Sequence, residues 1–172
     1  MKHDPPHESD HTHIAVSFAK QGLMSTLGAR LGHTAPGEVH IHLPMSNAVT
    51  QQHGLFHGGA TSTIADSAGG YAALTLMDPA SEVLTVEYKI NLLAPAIGDE
   101  LEAIGTVIKP GRTLTICRLD VYAHNGGQRT LVAAGQQTLI RVDAPLPHGS
   151  SDARPVACVA HGPRSTLRPR LQ

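Results

Sequence analysis

Apolar and polar positions change period several times along this chain. From His13 to Leu31 the apolar residues Ile14, Phe18, Leu23, Leu27 and Leu31 recur near helical spacing. This predicts one helix or two short ones, weakened by Gly22 and Gly28. Pro36-Gly37 interrupts the pattern, and from Glu38 to Leu43 it becomes an alternation of Val39, Ile41 and Leu43 against Glu38, His40 and His42, which predicts a strand. After a polar loop through Gln52, the stretch from Gly59 to Met77 carries mostly small side chains, among them Ala60, Ser62, Ala65, Ser67, Ala68, Ala72 and Ala73. A helix so thin and so apolar suits a central position that other elements approach closely.

Beyond it the period is two. Leu84, Val86, Tyr88, Ile90 and Leu92 alternate with Thr85, Glu87, Lys89 and Asn91, predicting one buried and one more polar face. Pro95 and Gly98-Asp99 turn the chain, Leu101 to Ile108 reads as another strand, and Pro110-Gly111 turns it again. Leu114 to Ala123 and Leu131 to Val142 complete the series, joined by the hairpin signal His124-Asn125-Gly126-Gly127. The expected layout is one strand, a long helix and four antiparallel strands, an α+β class. Its expected organisation is an N-terminal arm and helix over residues 1–36, a core domain over 37–142 and a mobile, Pro- and Arg-rich tail over 143–172.

Composition narrows the function. The chain has 172 residues, enough for one core, and aromatics are only 3% with no Trp, so the core is aliphatic. A formal charge of −1 lacks the basic excess that nucleic-acid binding needs. Cys117 and Cys158 have no metal-site spacing, and a packed core thiol is expected at Cys117. His40 and His42 share a strand face, and His3, His7, His11 and His13 crowd the N-terminus, yet no cysteine or carboxylate set completes a tetrahedral site, so no metal is expected. The polar start reads as no secretory signal and no run is long enough to span a bilayer, so the expected compartment is the cytoplasm and no membrane partner is expected.

Chemistry concentrates in the small-residue helix. Asp66 is a carboxylate in a segment predicted to be buried, where an unpaired charge is costly. A solvated stripe would explain it more simply, but the apolar composition argues against one. His57-Gly58-Gly59 opens the same helix, and backbone amides in a first turn lack intrahelical partners and can receive a developing oxyanion. Gly58 and Gly59 are therefore candidate binding amides, and His57 is read as a neutral imidazole that shapes the loop rather than as a base. Gly58 and Asp66 lie eight residues apart, or about 12 Å at the helical rise, too far for both to touch one carbon. If both serve one reaction, the site takes one residue from each of two subunits of an obligate symmetric dimer.

The strings HGGATSTIADSAGG, LTVEYKINLLAPA and PGRTL, with Gly54 upstream, resemble the PaaI-like acyl-CoA thioesterases of the hotdog superfamily over roughly residues 37–142. That resemblance implies a curved antiparallel sheet wrapped around the helix, protomers paired sheet to sheet and often assembled as tetramers, and hydrolysis of acyl-CoA without a cofactor. It places the catalytic carboxylate on Asp66 and the oxyanion amide on Gly58 of the opposite subunit. Gln51 stands where the family usually has Asn, and as in some 4-hydroxybenzoyl-CoA thioesterases it would polarise the thioester carbonyl or position the loop. Thr85 falls where some relatives carry a hydroxyl that holds the water. CoA phosphates call for cations, for which Lys109 and Arg112 beside Pro110-Gly111 are the candidates. Gly69, Gly70 and Ala73, beyond Asp66, either leave room for the acyl group or allow close helix–sheet contact. A non-catalytic acyl-CoA-binding module is the alternative of another class, and a hydratase, which would need a catalytic His such as His57, is a third.

Overall fold

A computed structural model describes residues 11–142. The tail expected over 143–172 and the first ten residues of the arm lie outside the described residues. The chain runs α1 (Thr12–Phe18), α2 (Gly22–Leu27), β1 (Arg30–Ala35), β2 (Glu38–Pro44), a 3-10 turn (Asn47–Val49), α3 (Gly58–Leu74), β3 (Glu82–Leu92), β4 (Glu100–Lys109), β5 (Leu114–Asn125) and β6 (Gln128–Val142). All six strands form one antiparallel sheet in the order β1-β2-β4-β5-β6-β3. The sheet packs around α3, which touches β2, β3, β4, β5 and β6. This is the hotdog arrangement.

The first expectation divides. The helical stretch is two short helices, the second ended by Gly28 in the left-handed conformation (φ 73°). Helices of 7 and 6 residues do not persist alone, and they are held here by Ile14 and Met24, which reach the core at 0% and 1% exposure. A fully buried side chain of this size contributes roughly 1.5–3 kcal/mol. The sequence pattern carried the helix through to Leu31, whereas β1 begins at Arg30, so the sheet has six strands and not five. β1 gave no period-two signal because its register shifts between Leu31 and Thr34, which breaks the alternation of exposure along it.

Outside β1 and β3 the periodicities and the elements agree. The β5–β6 hairpin turns at Gly126 (φ 54°) and Gly127 (φ 86°), the pair of positive angles that a two-residue turn between twisted strands requires. Close approach of α3 to the sheet is literal: a Cβ on Gly105 of β4 would stand 2.3 Å from the Ala68 carbonyl carbon. Among the described residues no helix is long and apolar enough to cross a membrane.

Strand β3 departs from its expected two faces. Its register against β6 shifts between Thr85 and Glu87, so Val86 is an extra residue and the alternation reverses across it. Thr85 is paired with Leu139, Tyr88 with Gln137, Ile90 with Gly135 and Leu92 with Ala133, and directly paired residues share a face. Thr85 therefore faces α3 on the same side as Tyr88, Ile90 and Leu92, while Glu87 faces away and accepts from Thr138 Oγ1 at 3.3 Å. Leu84, Val86, Tyr88 and Leu92 are 45–60% exposed along this strand, so the face read as buried is open in the isolated chain.

Candidate active site

The middle of α3 brings a carboxylate against the edge of the sheet. Asp66 is half-buried rather than buried, because it faces the gap between α3 and β3. Thr85 Oγ1 donates to Asp66 Oδ1 at 2.8 Å. Gln137 of β6 completes the arrangement, with its Nε2 2.5 Å from Asp66 Oδ1, 3.1 Å from the Asp66 carbonyl and 2.9 Å from Thr85 Oγ1. Two amide hydrogens are thus shared among three acceptors, which fixes the nitrogen on this side. The Gln137 side chain is fully buried, and its Oε1 has no hydrogen-bond partner. That oxygen lies 1.9 Å from where a Cβ on residue 69 would stand, so Gly69 makes the space that Gln137 occupies.

Sequence reasoning missed Gln137. Counting back in twos from buried Leu139 puts Gln137 on the helix side of β6 with Gly135 and Ala133. A buried amide on that face was the available signal, masked by Gln136 beside it.

Asp66 and Thr85 line a cavity of about 240 Å³, together with Ser67, Gly70 and Tyr71 of α3, Ser17 of α1, Gln21 just before α2, and β3. Around Gly70 a Cβ would meet nothing within 4 Å. Gly69 and Ala73 instead serve the helix–sheet contact, the former against Gln137 and Leu119, the latter fully buried beside Cys117 and Leu139. Open space and close helix–sheet contact are thus found on different sides of one helix.

The N-terminus of α3 opens into another space. Gly58, Gln51, Phe56, Leu92 and Leu93 border a cavity of about 470 Å³, and none of its lining residues belongs to the first cavity. His57 is the N-cap, and its Nδ1 accepts from the Gly59 amide at 2.9 Å, which requires that nitrogen to be unprotonated. With the Gly59 donor engaged and the Thr61 amide bonded to the His57 carbonyl at 3.0 Å, the Gly58 N–H is left without an acceptor among the described residues. The Gln51 loop is tied down by its own backbone, Gln51 N to the Leu55 carbonyl at 2.9 Å and Gly54 N to the Gln51 carbonyl at 3.0 Å, and its side-chain oxygen accepts from the His53 amide. Lys109 and Arg112 are exposed at the β4–β5 turn and border neither cavity.

The remaining candidate chemistry resolves into structure. Cys117 is fully buried, burial pushes its thiol up to about 12, and Sγ lies 3.5 Å from the Gly69 carbonyl. His40 and His42 do have carboxylate neighbours, supplied by their own and the adjacent strand. His40 contacts Glu102 at 2.8 Å and Glu38 at 3.0 Å, and His42 contacts Glu100 at 3.0 Å. Glu102 also meets His124 at 3.0 Å and Arg129 at 3.1 Å. Burial opposes its ionisation, but the bonds from His124 and His40 and the Arg129 guanidinium bring its carboxyl down to about 2. These histidines and carboxylates share partners in one network across the strands, and no metal-binding cluster exists among the described residues.

Comparison with known proteins adds an independent line. The sequence family described as the thioesterase superfamily matches residues 53–130. A thioesterase family protein from Silicibacter pomeroyi is 44% identical, with a TM-score of 0.74 over 76% of this chain and 96% of its own. Acyl-coenzyme A thioesterase 13 of Homo sapiens is 30% identical over 105 residues, 60% of this chain and 73% of the relative. The PaaI protein of E. coli, 17% identical, shares the fold with a TM-score of 0.69 over 76% of this chain and 91% of its own.

Proposed function

We propose that this chain, which belongs to the thioesterase superfamily and whose general chemistry is therefore thioester hydrolysis, cleaves acyl-CoA to a free acid and CoA in sites shared by two subunits. The observation that carries this reading is the separation of Asp66 from Gly58 into cavities with no common lining residue. A base without an oxyanion donor, and a donor without a base, are two halves of one site. The β3 edge not paired with β6 offers the way to join them. This open edge carries exposed Leu84, Val86, Tyr88 and Leu92, and such an edge favours a second strand. An antiparallel β3–β3 pairing makes a symmetric dimer with two sites.

In each site Asp66 takes a proton from a water held with Thr85, and the water oxygen attacks the thioester carbon. Negative charge develops on the carbonyl oxygen, where Gly58 N–H of the partner subunit and the positive end of its α3 stabilise it. The Gln51 amide lies on that side of the reaction. Collapse breaks the C–S bond, and the departing thiolate takes the proton back from Asp66. In the nucleophilic variant Asp66 itself attacks the thioester carbon and expels the CoA thiolate, which takes a proton from solvent, and water then hydrolyses the mixed anhydride; oxygen-18 from water entering Asp66 in a single turnover distinguishes this route. Gln137 and Gly69 act through Asp66, holding its carboxylate toward the cavity. Lys109 and Arg112 would meet the CoA phosphates outside it.

Complementation tests the shared site directly. Gly58 is the first helical residue, a position that tolerates proline, and His57 before it already has the extended backbone (φ −69°, ψ 136°) that proline favours. Gly58→Pro thus deletes one N–H donor. Gly58→Pro and Asp66→Asn should each lose at least about a hundredfold in kcat. Co-refolded in equal amounts they should recover about a quarter of wild-type thiol release, because half the dimers then carry one intact site of two. No recovery would place each site within one subunit. Binding of acyl-CoA without thiol release from wild type would favour the non-catalytic module.

A further inference from the structure

The cavity beside Asp66 ends on a polar wall that the hydrolytic chemistry does not use. Tyr71 lies five residues beyond Asp66 on α3, about 7–8 Å along the axis at 1.5 Å per residue. Its hydroxyl receives Gln21 Nε2 at 2.9 Å and lies 3.3 Å from Ser17 Oγ, while Ser67 Oγ donates to Gln21 Oε1 at 3.4 Å. Gln21 sits in the link between α1 and α2, where its backbone N–H bonds the Phe18 carbonyl at 3.0 Å. Two elements outside the residues matched by the family therefore close the far end of the cavity with hydrogen-bonding atoms. Burial holds the Tyr71 phenol above its ordinary value, so it stays a neutral hydroxyl.

A network of this kind could simply fasten the short helices to α3, but its atoms also border open space. The second amide hydrogen of Gln21 has no acceptor among the described residues, and the Tyr71 oxygen keeps unused capacity. A hydrocarbon end driven against this wall would dehydrate those groups without replacing water, which is unfavourable. A terminal carboxylate is opposed for another reason. Asp66 and Glu82 both line the cavity, and no Lys, Arg or His is among its lining residues. The axial separation of Asp66 and Tyr71 matches about six extended bonds, which sets the acyl length to test.

We infer that Gln21, with Tyr71, is a specificity determinant that selects short acyl groups ending in a neutral hydrogen-bonding group such as a hydroxyl, over plain alkyl and over dicarboxylic acyl groups of equal length. The inference rests on Asp66 as the reaction centre. A matched set of ω-hydroxyhexanoyl-CoA, hexanoyl-CoA and adipoyl-CoA tests it on the wild-type protein. The kcat/KM should favour the hydroxylated substrate over hexanoyl-CoA by about tenfold, the value of one hydrogen bond, with adipoyl-CoA lowest. In Gln21→Leu, and in Tyr71→Phe as a milder second variant, the ratio of hydroxylated to plain substrate should fall toward one. This ratio does not depend on how much of a variant folds.

Equal or better use of hexanoyl-CoA by wild type, or an unchanged ratio in both variants, overturns the inference. The non-hydrolysable thioether analogues of the three substrates, titrated calorimetrically, separate it from the function on which it rests. If no thioester is cleaved, the hydrolytic reading falls, yet the same order of affinities upholds the selective wall and a reversed order refutes it.

Discussion

Asp66 on the helix side of the sheet and Glu102 on its outer side are both partly buried carboxylates ringed by donors, and the donors differ in kind. Glu102 meets His40, His124 and Arg129, groups that carry or can acquire positive charge. Asp66 meets a hydroxyl and a carboxamide, both neutral, and no cation pairs with it among the described residues. Cations stabilise the ionised form so well that Glu102 accepts a proton only near pH 2. Neutral donors can hold a carboxylate in place without adding that charge. Glu102 joins strands β2, β4, β5 and β6, whereas Asp66 faces a cavity. Two partly buried acids thus differ in their surroundings, and the proposed function assigns the chemical task to the one without cations.

Exchanging each acid for its amide is the strongest way to break this comparison. Asp66→Asn should lower kcat by about a thousandfold or more while the thermal midpoint moves little. Retention of more than a tenth of wild-type thiol release would remove Asp66 from the chemistry. Gln137→Leu sharpens the comparison further, because it removes the carboxamide donor and leaves the Thr85 hydroxyl, while keeping a similar volume in the sheet. We expect kcat to fall about 10–100-fold with little change in KM, and stability to hold or rise as an unpartnered buried oxygen disappears. A parallel loss of stability and KM would make Gln137 a packing residue only.

Glu102→Gln should do the reverse, leaving kcat alone and costing about 1–2 kcal/mol in denaturant unfolding at neutral pH. Since the folded carboxyl lies below its ordinary 4.5, near 2, its contribution is complete above the ordinary value and lost as pH falls through the folded one. The difference in stability between wild type and Glu102→Gln should therefore shrink as pH falls below about 4.5 toward 2. A difference that fails to shrink over that range would contradict the ion-pair origin. This is the smallest of the expected effects.

The candidate site was only partly legible in the residues. Asp66 stood out because a carboxylate in a helix of alanines is locally anomalous, and Gly58 because glycines at a helix start have a local consequence. Gln137 was not singled out, since its meaning depends on facing Asp66, 71 residues away in the chain. Gln21 was passed over for the same reason. Thr85 was named, but on a face assigned by unbroken alternation, and the bulge at Val86 puts it toward the helix by a different route.

By itself the sequence determined the strand-rich layout around α3, the turn at Gly126-Gly127 and the incompatibility of Gly58 and Asp66 within one reach of a single carbon. These depend on periodicity and on distance along one helix, both local properties. Only the tertiary structure decided the sixth strand, the reversed faces of β3, the neutral surroundings of Asp66 and the polar end of its cavity. Each of those arises where strands or helices distant in sequence meet, and a register shift of one residue is enough to change which side chains do.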